Sequence, residues 1–176
     1  MNVEALLTAS LSPDAQERAH ATNELQNALN SNAGQYLLSL SNTLVNQQSP
    51  AHIRNAAGLA IKNTLSARET TRQEDYAARW TSLDQTIRDK VKSDALQALS
   101  ASDRGARNVA GQIIASIGAI ELPIGLWDNL VPQLLHLAAR PDDPALRQAT
   151  LQAIGYLCEV IVRLLITGIS TSFDHR

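Results

Sequence analysis

The sequence predicts an all-α protein, a right-handed α-solenoid of about four helical hairpins stacked as an armadillo-like superhelix. Apolar residues recur with helical periodicity along most of the chain. Strand signals are nearly absent, because neither Asn-Gly nor Asp-Gly occurs as a hairpin turn. Hydrophobic residues make up 44% of the chain but aromatic residues only 3%, so small and aliphatic side chains must form the core. Such side chains allow helix axes to approach closely.

Two kinds of helix alternate along the chain. One kind carries pairs of small or branched apolar residues, each pair one turn beyond the last, over Ala56–Leu65, Val109–Ile117 and Ala149–Cys158. The other kind carries wider, Leu-rich stripes, over Leu37–Leu44 and over Leu126–Leu135. The alternation is typical of hairpins whose apolar faces are buried by stacking against the neighbouring hairpins.

The small-residue helices share a second mark, an Asp placed four residues before an Arg. An Asp in this position can cap free backbone N–H groups at the start of a helix. The Arg then lies one turn further in, on the face next to the following hairpin. Bonding within or between hairpins explains the repeated spacing better than an anion-binding ladder does. The marked residues are Asp14 with Arg18, Asp103 with Arg107, Asp143 with Arg147, and Arg54, which holds the equivalent place after Ser49-Pro50.

The four arginines lie 36, 53 and 40 residues apart. Hairpins of the HEAT and armadillo type repeat at roughly 40–47 residues. The long interval indicates an inserted connecting segment, residues 67–83, in which Trp80 is expected to pin the segment across the groove between hairpins. The predicted organisation is therefore hairpins one and two in residues 1–66, hairpins three and four in residues 84–159, and a divergent tail in residues 160–176.

Composition excludes several classes of partner. A formal charge of -2 and a pI near 6.1 disfavour nucleic acid, since phosphate binding needs a basic surface. The N-terminus lacks the basic start of a signal peptide. No uncharged apolar stretch reaches about 18 residues, the length that suggests a membrane-spanning helix. We therefore expect neither a nucleic-acid nor a membrane partner, and a reducing compartment suits the single Cys158.

Nothing in the sequence indicates an enzyme. Phosphate loops, nucleophile elbows and dinucleotide fingerprints are all missing. Cys158 continues an apolar stripe and is interpreted as core packing, as is Trp127. We expect no cofactor, and no metal site either, because no two histidines have an i, i+4 spacing. These histidines are His20, His52, His136 and His175.

Five stretches, in this order, resemble the first four repeats of importin-β nuclear transport receptors. The resemblance covers about residues 1–159 and departs after Glu159. The stretches that carry it are Ser12-Pro13-Asp14, Ala56 through Asn63, Arg79-Trp80, Ile120 through Pro123 with Trp127 and Leu130-Val131-Pro132, and Leu151 through Glu159.

The resemblance implies a receptor that carries cargo through nuclear pores and releases it on binding the GTP form of the small GTPase Ran. It implies that the second helix of each hairpin lines the concave side, with Lys62 and Arg68 as candidate Ran contacts. Surfaces for nucleoporins and import cargo would lie in later repeats that this chain does not include. The implied location is the cytoplasm and nucleus, including the nuclear envelope and its pores.

Two alternatives remain at the level of sequence. A HEAT-repeat scaffold of another kind would share the period and the Asp-to-Arg marks, but it would not predict Ile61-Lys62-Asn63 or Arg79-Trp80. A truncated, non-productive copy of the receptor would explain the departure after Glu159. The tail also predicts self-association, because apolar patches beyond a few hundred Å² usually mark association. Its apolar residues are Val160, Ile161, Val162, Leu164, Leu165, Ile166 and Ile169.

Overall fold

The computed structural model describes residues 2–67 and 69–173, with side chains of the last helix described as far as Arg163. These residues contain nine α-helices, one 3-10 turn and no strand, which confirms the all-α prediction. The helices are α1 (Val3–Ser10), α2 (Ala15–Ser31), α3 (Ala33–Val45), α4 (Ala51–Leu65), α5 (Thr70–Thr81), α6 (Gln85–Ala98), α7 (Arg104–Glu121), α8 (Leu130–Ala138) and α9 (Pro144–Phe173).

Four antiparallel pairs form the solenoid: α1 with α2, α3 with α4, α6 with α7, and α8 with α9. The second helices stack in sequence, α4 on α7 and α7 on α9, while α3 packs on α6. The inserted segment is itself helical, since α5 runs between the second and third pairs and packs against α4. The last helix continues beyond Glu159 as far as Phe173.

The Asp residues of the repeated mark cap their helices. Asp14 accepts from the backbone N–H groups of Gln16 and Glu17, at 2.7 and 3.0 Å. Asp103 accepts at 3.1 and 2.7 Å from the N–H groups of the second and third residues of its helix. Asp143 accepts from Leu146 N–H at 2.8 Å. Each cap satisfies donors that the helix itself leaves free.

The arginines of the mark turn back towards the loop inside their own hairpin. Arg18 donates to two loop carbonyls at 2.8 and 2.7 Å, and Arg107 does the same at 2.7 and 2.9 Å. Arg147 donates to the carbonyl of Arg140 at 3.0 Å. These hydrogen bonds lie within a hairpin, one of the two arrangements expected for the arginines. They satisfy loop carbonyls, which no helix or sheet ladder can pair.

Arg54 departs from this pattern because Pro50 stands where the other helices have Asp. Its side chain is buried and donates to Gln47 Oε1 at 3.4 Å, a long hydrogen bond. Among the described residues, its Nε has no hydrogen-bond partner.

Glycines allow the second helices to approach each other closely. A Cβ at Gly58 of α4 would lie 2.3 Å from Val109 of α7, inside van der Waals contact. A Cβ at Gly111 would lie 3.3 Å from Ala153 of α9. The small-residue pairs of the sequence therefore lie at the interfaces between hairpins, where short side chains bring the helix axes together.

The stripe predicted over Leu126–Leu135 is not one helix. A 3-10 turn over Leu122–Ile124 and Gly125, with φ of 68°, separate α7 from α8, which begins only at Leu130. Pro123 removes a backbone donor and Gly125 takes a left-handed conformation, so the chain turns sharply here. Trp127 is buried in this turn, not on the helix that follows.

Candidate protein-binding groove

One groove stands out on the face formed by the second helices. It lies between α4, α5, α7 and α9 and encloses about 830 Å³. Small and aliphatic side chains form most of its lining, and charged side chains stand at its margin. The apolar lining includes Leu65, Ala77, Ala115, Ala119, Ile120, Pro123 and Ile124, and the charged margin consists of Lys62, Glu74, Glu159 and Arg163.

Lys62 is positioned at this groove by the end of α4. Ile61, beside it, is fully buried and fixes the helix against the core. Lys62 itself is half-buried, and its ammonium forms no hydrogen bond or ion pair with any side chain described in residues 2–67 and 69–163. A positive end group without a partner at the margin of an apolar groove can receive a carboxylate from another protein.

Arg68, the second predicted contact, lies outside the described residues. Ala67 and Ser66 line the groove immediately before it.

One wall of the groove is α5, whose start is tied to the end of α4 by a single amide side chain. Gln73 accepts from the N–H of Ala67 at 2.7 Å and donates to the carbonyl of Leu65 at 3.1 Å. Arg79 stacks 4.7 Å above the ring of Tyr76 and donates to the carbonyl of Thr64 at 3.5 Å. These contacts hold a helix that, among its described residues, buries only Trp80.

The other end of α5 is held by Glu121, a buried residue that sequence reasoning missed. Trp80 Nε1 donates to Glu121 Oε1 at 3.0 Å. Arg88 of α6 donates to the same oxygen at 2.9 Å, and Lys92 of α6 donates to Oε2 at 3.0 Å. Glu121 is fully buried, so its charge is balanced by these donors and not by solvent. Two signals pointed to Glu121 in the sequence: it ends an apolar helix, and it lies within the Ile120 through Pro123 stretch of the resemblance.

The opposite wall is α9. Tyr156 donates from its hydroxyl to Asn108 Oδ1 of α7 at 2.7 Å, which ties the two helices at the groove. Glu159 and Arg163 form an exposed ion pair of 2.9 Å, one turn apart. This wall is formed partly by residues beyond Glu159, where the resemblance to the receptor family ends.

The remaining predicted residues lie away from the groove. The capping pairs, Asp14 with Arg18, Asp103 with Arg107 and Asp143 with Arg147, lie at loops within hairpins, and Arg54 is buried near the start of α4. Trp127 packs in a separate cleft, with the Lys92 ammonium 5.2 Å from its ring centre. Cys158 is exposed on α9, so its interpretation as core packing is wrong. In the described part of the chain, no cluster of His, Cys, Asp or Glu could hold a metal, and no helix is long and apolar enough to cross a membrane.

Known proteins are similar to this chain in sequence and in architecture. The family described as "Importin-beta N-terminal domain" matches residues 21–101. Importin subunit beta-1 of Schizosaccharomyces pombe is 41% identical over 161 residues, which are 92% of this chain and 19% of that protein. The chain belongs to the importin-β family. Importin subunit beta-1 of Arabidopsis thaliana is 36% identical over 162 residues, 92% of this chain and 18% of that protein.

Solved importin-β structures superpose closely on this solenoid. A crystal structure of importin beta gives a TM-score of 0.86 at 42% identity, over 90% of this chain and 18% of the other. A structure of Kap95p, described as inducing the switch loops of RanGDP to adopt the GTP-bound conformation, gives a TM-score of 0.87 at 30% identity. The match covers 90% of this chain and 19% of Kap95p. The chain thus spans about a fifth of these importin-β relatives and corresponds to their N-terminal repeats.

Proposed function

We propose that this chain binds Ran in its GTP form, as the N-terminal region of a nuclear import receptor in nucleocytoplasmic protein transport. The observation that carries the proposal is the groove with Lys62 at its margin, whose ammonium is not paired with any described side chain. The relation to Kap95p, which binds RanGDP, supports Ran as the partner. The chain acts by binding and not by catalysis.

The groove offers two kinds of contact to such a partner. Its apolar lining gains free energy when an apolar side chain of the GTPase displaces water from it. A carboxylate of the GTPase pairs with Lys62, and loss of one partner from a pair that binding has buried costs more affinity than loss from a pair at the rim. Arg68 follows the groove-lining Ala67 and supplies a second basic contact.

Other partners of the receptor family are expected elsewhere. A relative, Kap95, is known in complex with Nup1. We propose that nucleoporins and import cargo bind through repeats beyond those in this chain, and that the chain acts in the cytoplasm and nucleus, at the nuclear envelope and pore.

The test is a titration of the purified chain with Ran loaded with a non-hydrolysable GTP analogue or with GDP. We expect measurable binding of the GTP form and weaker binding of the GDP form. The affinity should be lower than that of a whole receptor, since contacts from later repeats are missing. Equal binding of both forms, or none at high micromolar concentration, would contradict the proposal. A HEAT scaffold of another kind would give that result.

A further inference from the structure

We infer that the connecting helix α5 is part of the partner-binding surface and that the buried carboxylate of Glu121 is the positioning residue that holds it there. The inference rests on the proposed function for the identity of the partner. It concerns α5 in the inserted segment and Glu121 at the end of α7, and it does not involve Lys62 of α4.

The sequence of α5 does not hold the helix in place by apolar packing. Among its described residues, Trp80 alone is buried, while Gln73, Glu74, Ala77 and Ala78 face the groove. A short polar helix with one buried side chain has little apolar area to stabilise its position. Its placement therefore depends on specific polar contacts at its two ends.

The contact at the C-terminal end has a charged acceptor, which the contact at the N-terminal end lacks. The indole N–H of Trp80 points to a carboxylate that also receives Arg88 and Lys92. Hydrogen bonds to a charged acceptor are shorter and stronger than those between neutral groups. Arg88 and Lys92 are on α6, so Glu121 joins α5, α6 and α7 in one network.

The same carboxylate belongs to a stretch of chain that forms a second part of the groove lining. Ile120, Pro123 and Ile124, adjacent to Glu121 in sequence, line the groove that α5 also lines. One residue thus fixes the distance between two parts of the lining. A change at Glu121 or at its indole donor should widen the groove or loosen its wall, although neither residue lines it.

The experiment uses two variants of the whole chain, Trp80→Phe and Glu121→Gln. Trp80→Phe keeps an aromatic ring but removes the N–H donor; Glu121→Gln keeps the shape but removes the charge. Ile53→Val, at a buried position of α4 that does not line the groove, serves as the control for a general loss of stability. Amide hydrogen exchange over residues 70–81 and the Kd for Ran with bound GTP analogue are measured for each.

We expect exchange over residues 70–81 to be faster in both variants than in the Ile53→Val control. The Kd should rise roughly fivefold in Trp80→Phe, as for the loss of one hydrogen bond, and should not change in the control. Unchanged exchange in α5 in both variants would overturn the inference, as would faster exchange with an unchanged Kd. If the wild-type chain does not bind Ran, the proposed function fails, and exchange in α5 still decides whether Glu121 positions the helix.

Discussion

Lys62 and Gly58 lie one turn apart on α4, and each has a different physical role. Lys62 stands at the groove margin with an ammonium that no described side chain pairs. Gly58 faces α7, where Val109 leaves no room for a side chain. Substitution at the first should change binding, and substitution at the second should change stability.

Charge reversal at Lys62 is the direct test of its predicted role. We expect Lys62→Glu to weaken binding of Ran with GTP by about 2 kcal/mol or more, because it removes a charged contact and installs a repulsive one. Stability should fall only by about 0.3–1 kcal/mol, the effect of replacing a cation by an anion near a helix C-terminus. Binding is measured by calorimetry and stability by thermal unfolding.

Arg104→Glu is the matched control for Lys62→Glu. It changes the net charge equally, and Arg104 is exposed at the start of α7 and does not line the groove. We expect Ran binding close to that of the wild type. A Lys62→Glu variant that keeps its affinity but melts many degrees lower would show that the lysine stabilises the fold and does not contact the GTPase.

Gly58→Ala should destabilise the chain by about 1–3 kcal/mol, since the added Cβ overlaps a stiff, β-branched side chain. The usual helix-propensity gain of Ala over Gly, up to about 1 kcal/mol, offsets only part of this. Gly155→Ala is the control, because nothing lies within 4 Å of its added Cβ. It should therefore stabilise the chain slightly. Urea unfolding of the two variants checks this, and the same sign for both would contradict the packing described.

Some helices begin at a side-chain cap, and α7 is one of them at the scale of an element. Asp103 accepts from two N–H groups at the start of this helix. We expect Asp103→Ala to lower the free energy of unfolding by about 0.5–2 kcal/mol. Asp103→Asn keeps a capping oxygen and should lower the free energy of unfolding by only a few tenths of a kcal/mol, roughly the difference between two good caps. Chemical denaturation of both variants is the measurement, and equal stability of Asp103→Ala and wild type would rule out the cap as a contributor.

At the scale of the whole molecule, four of the eight large apolar side chains that are exposed among the described residues lie in the last helix pair, α8 with α9. Leu135 of α8 and Leu151 of α9 are 58% and 55% exposed, and Val162, in the helical continuation beyond Glu159, is 52% exposed. Of the tail residues predicted to cause association, Leu164, Leu165, Ile166 and Ile169 lie outside the residues whose side chains are described. The surface that is described is consistent with the predicted association.

We expect the 176-residue chain to self-associate with rising concentration, and to do so less when residues 160–176 are removed. Sedimentation of both forms between about 1 and 100 μM is the measurement, since association follows mass action. Leu135→Glu in the whole chain is a second variant that leaves the packing of Ile161 against the core intact. A chain that stays monomeric throughout this range would show that the tail caps the solenoid.

The sequence alone was sufficient for the local features of this protein. Helical periods and Asp caps depend on residues within a few positions of one another, and the repeat interval is the spacing between such marks. The all-α solenoid therefore follows from pattern, and the family follows from the resemblance of five stretches. The resemblance identified Lys62 as a candidate contact, and the structure adds that this residue stands at the margin of a groove. Its predicted contact with Ran stays a prediction.

Only the tertiary structure showed what joins distant parts of the chain. Trp80 and Glu121 are 41 residues apart, and no sequence pattern links an indole to one particular carboxylate at that separation. The helix within segment 67–83 was likewise missed, because its polar composition resembles a loop and its position depends on that contact. Trp127 fits a helical stripe by spacing, yet Pro123 and Gly125 turn the chain before it. Packing between segments decides such contacts, because their energy appears only once the chain has brought the groups together.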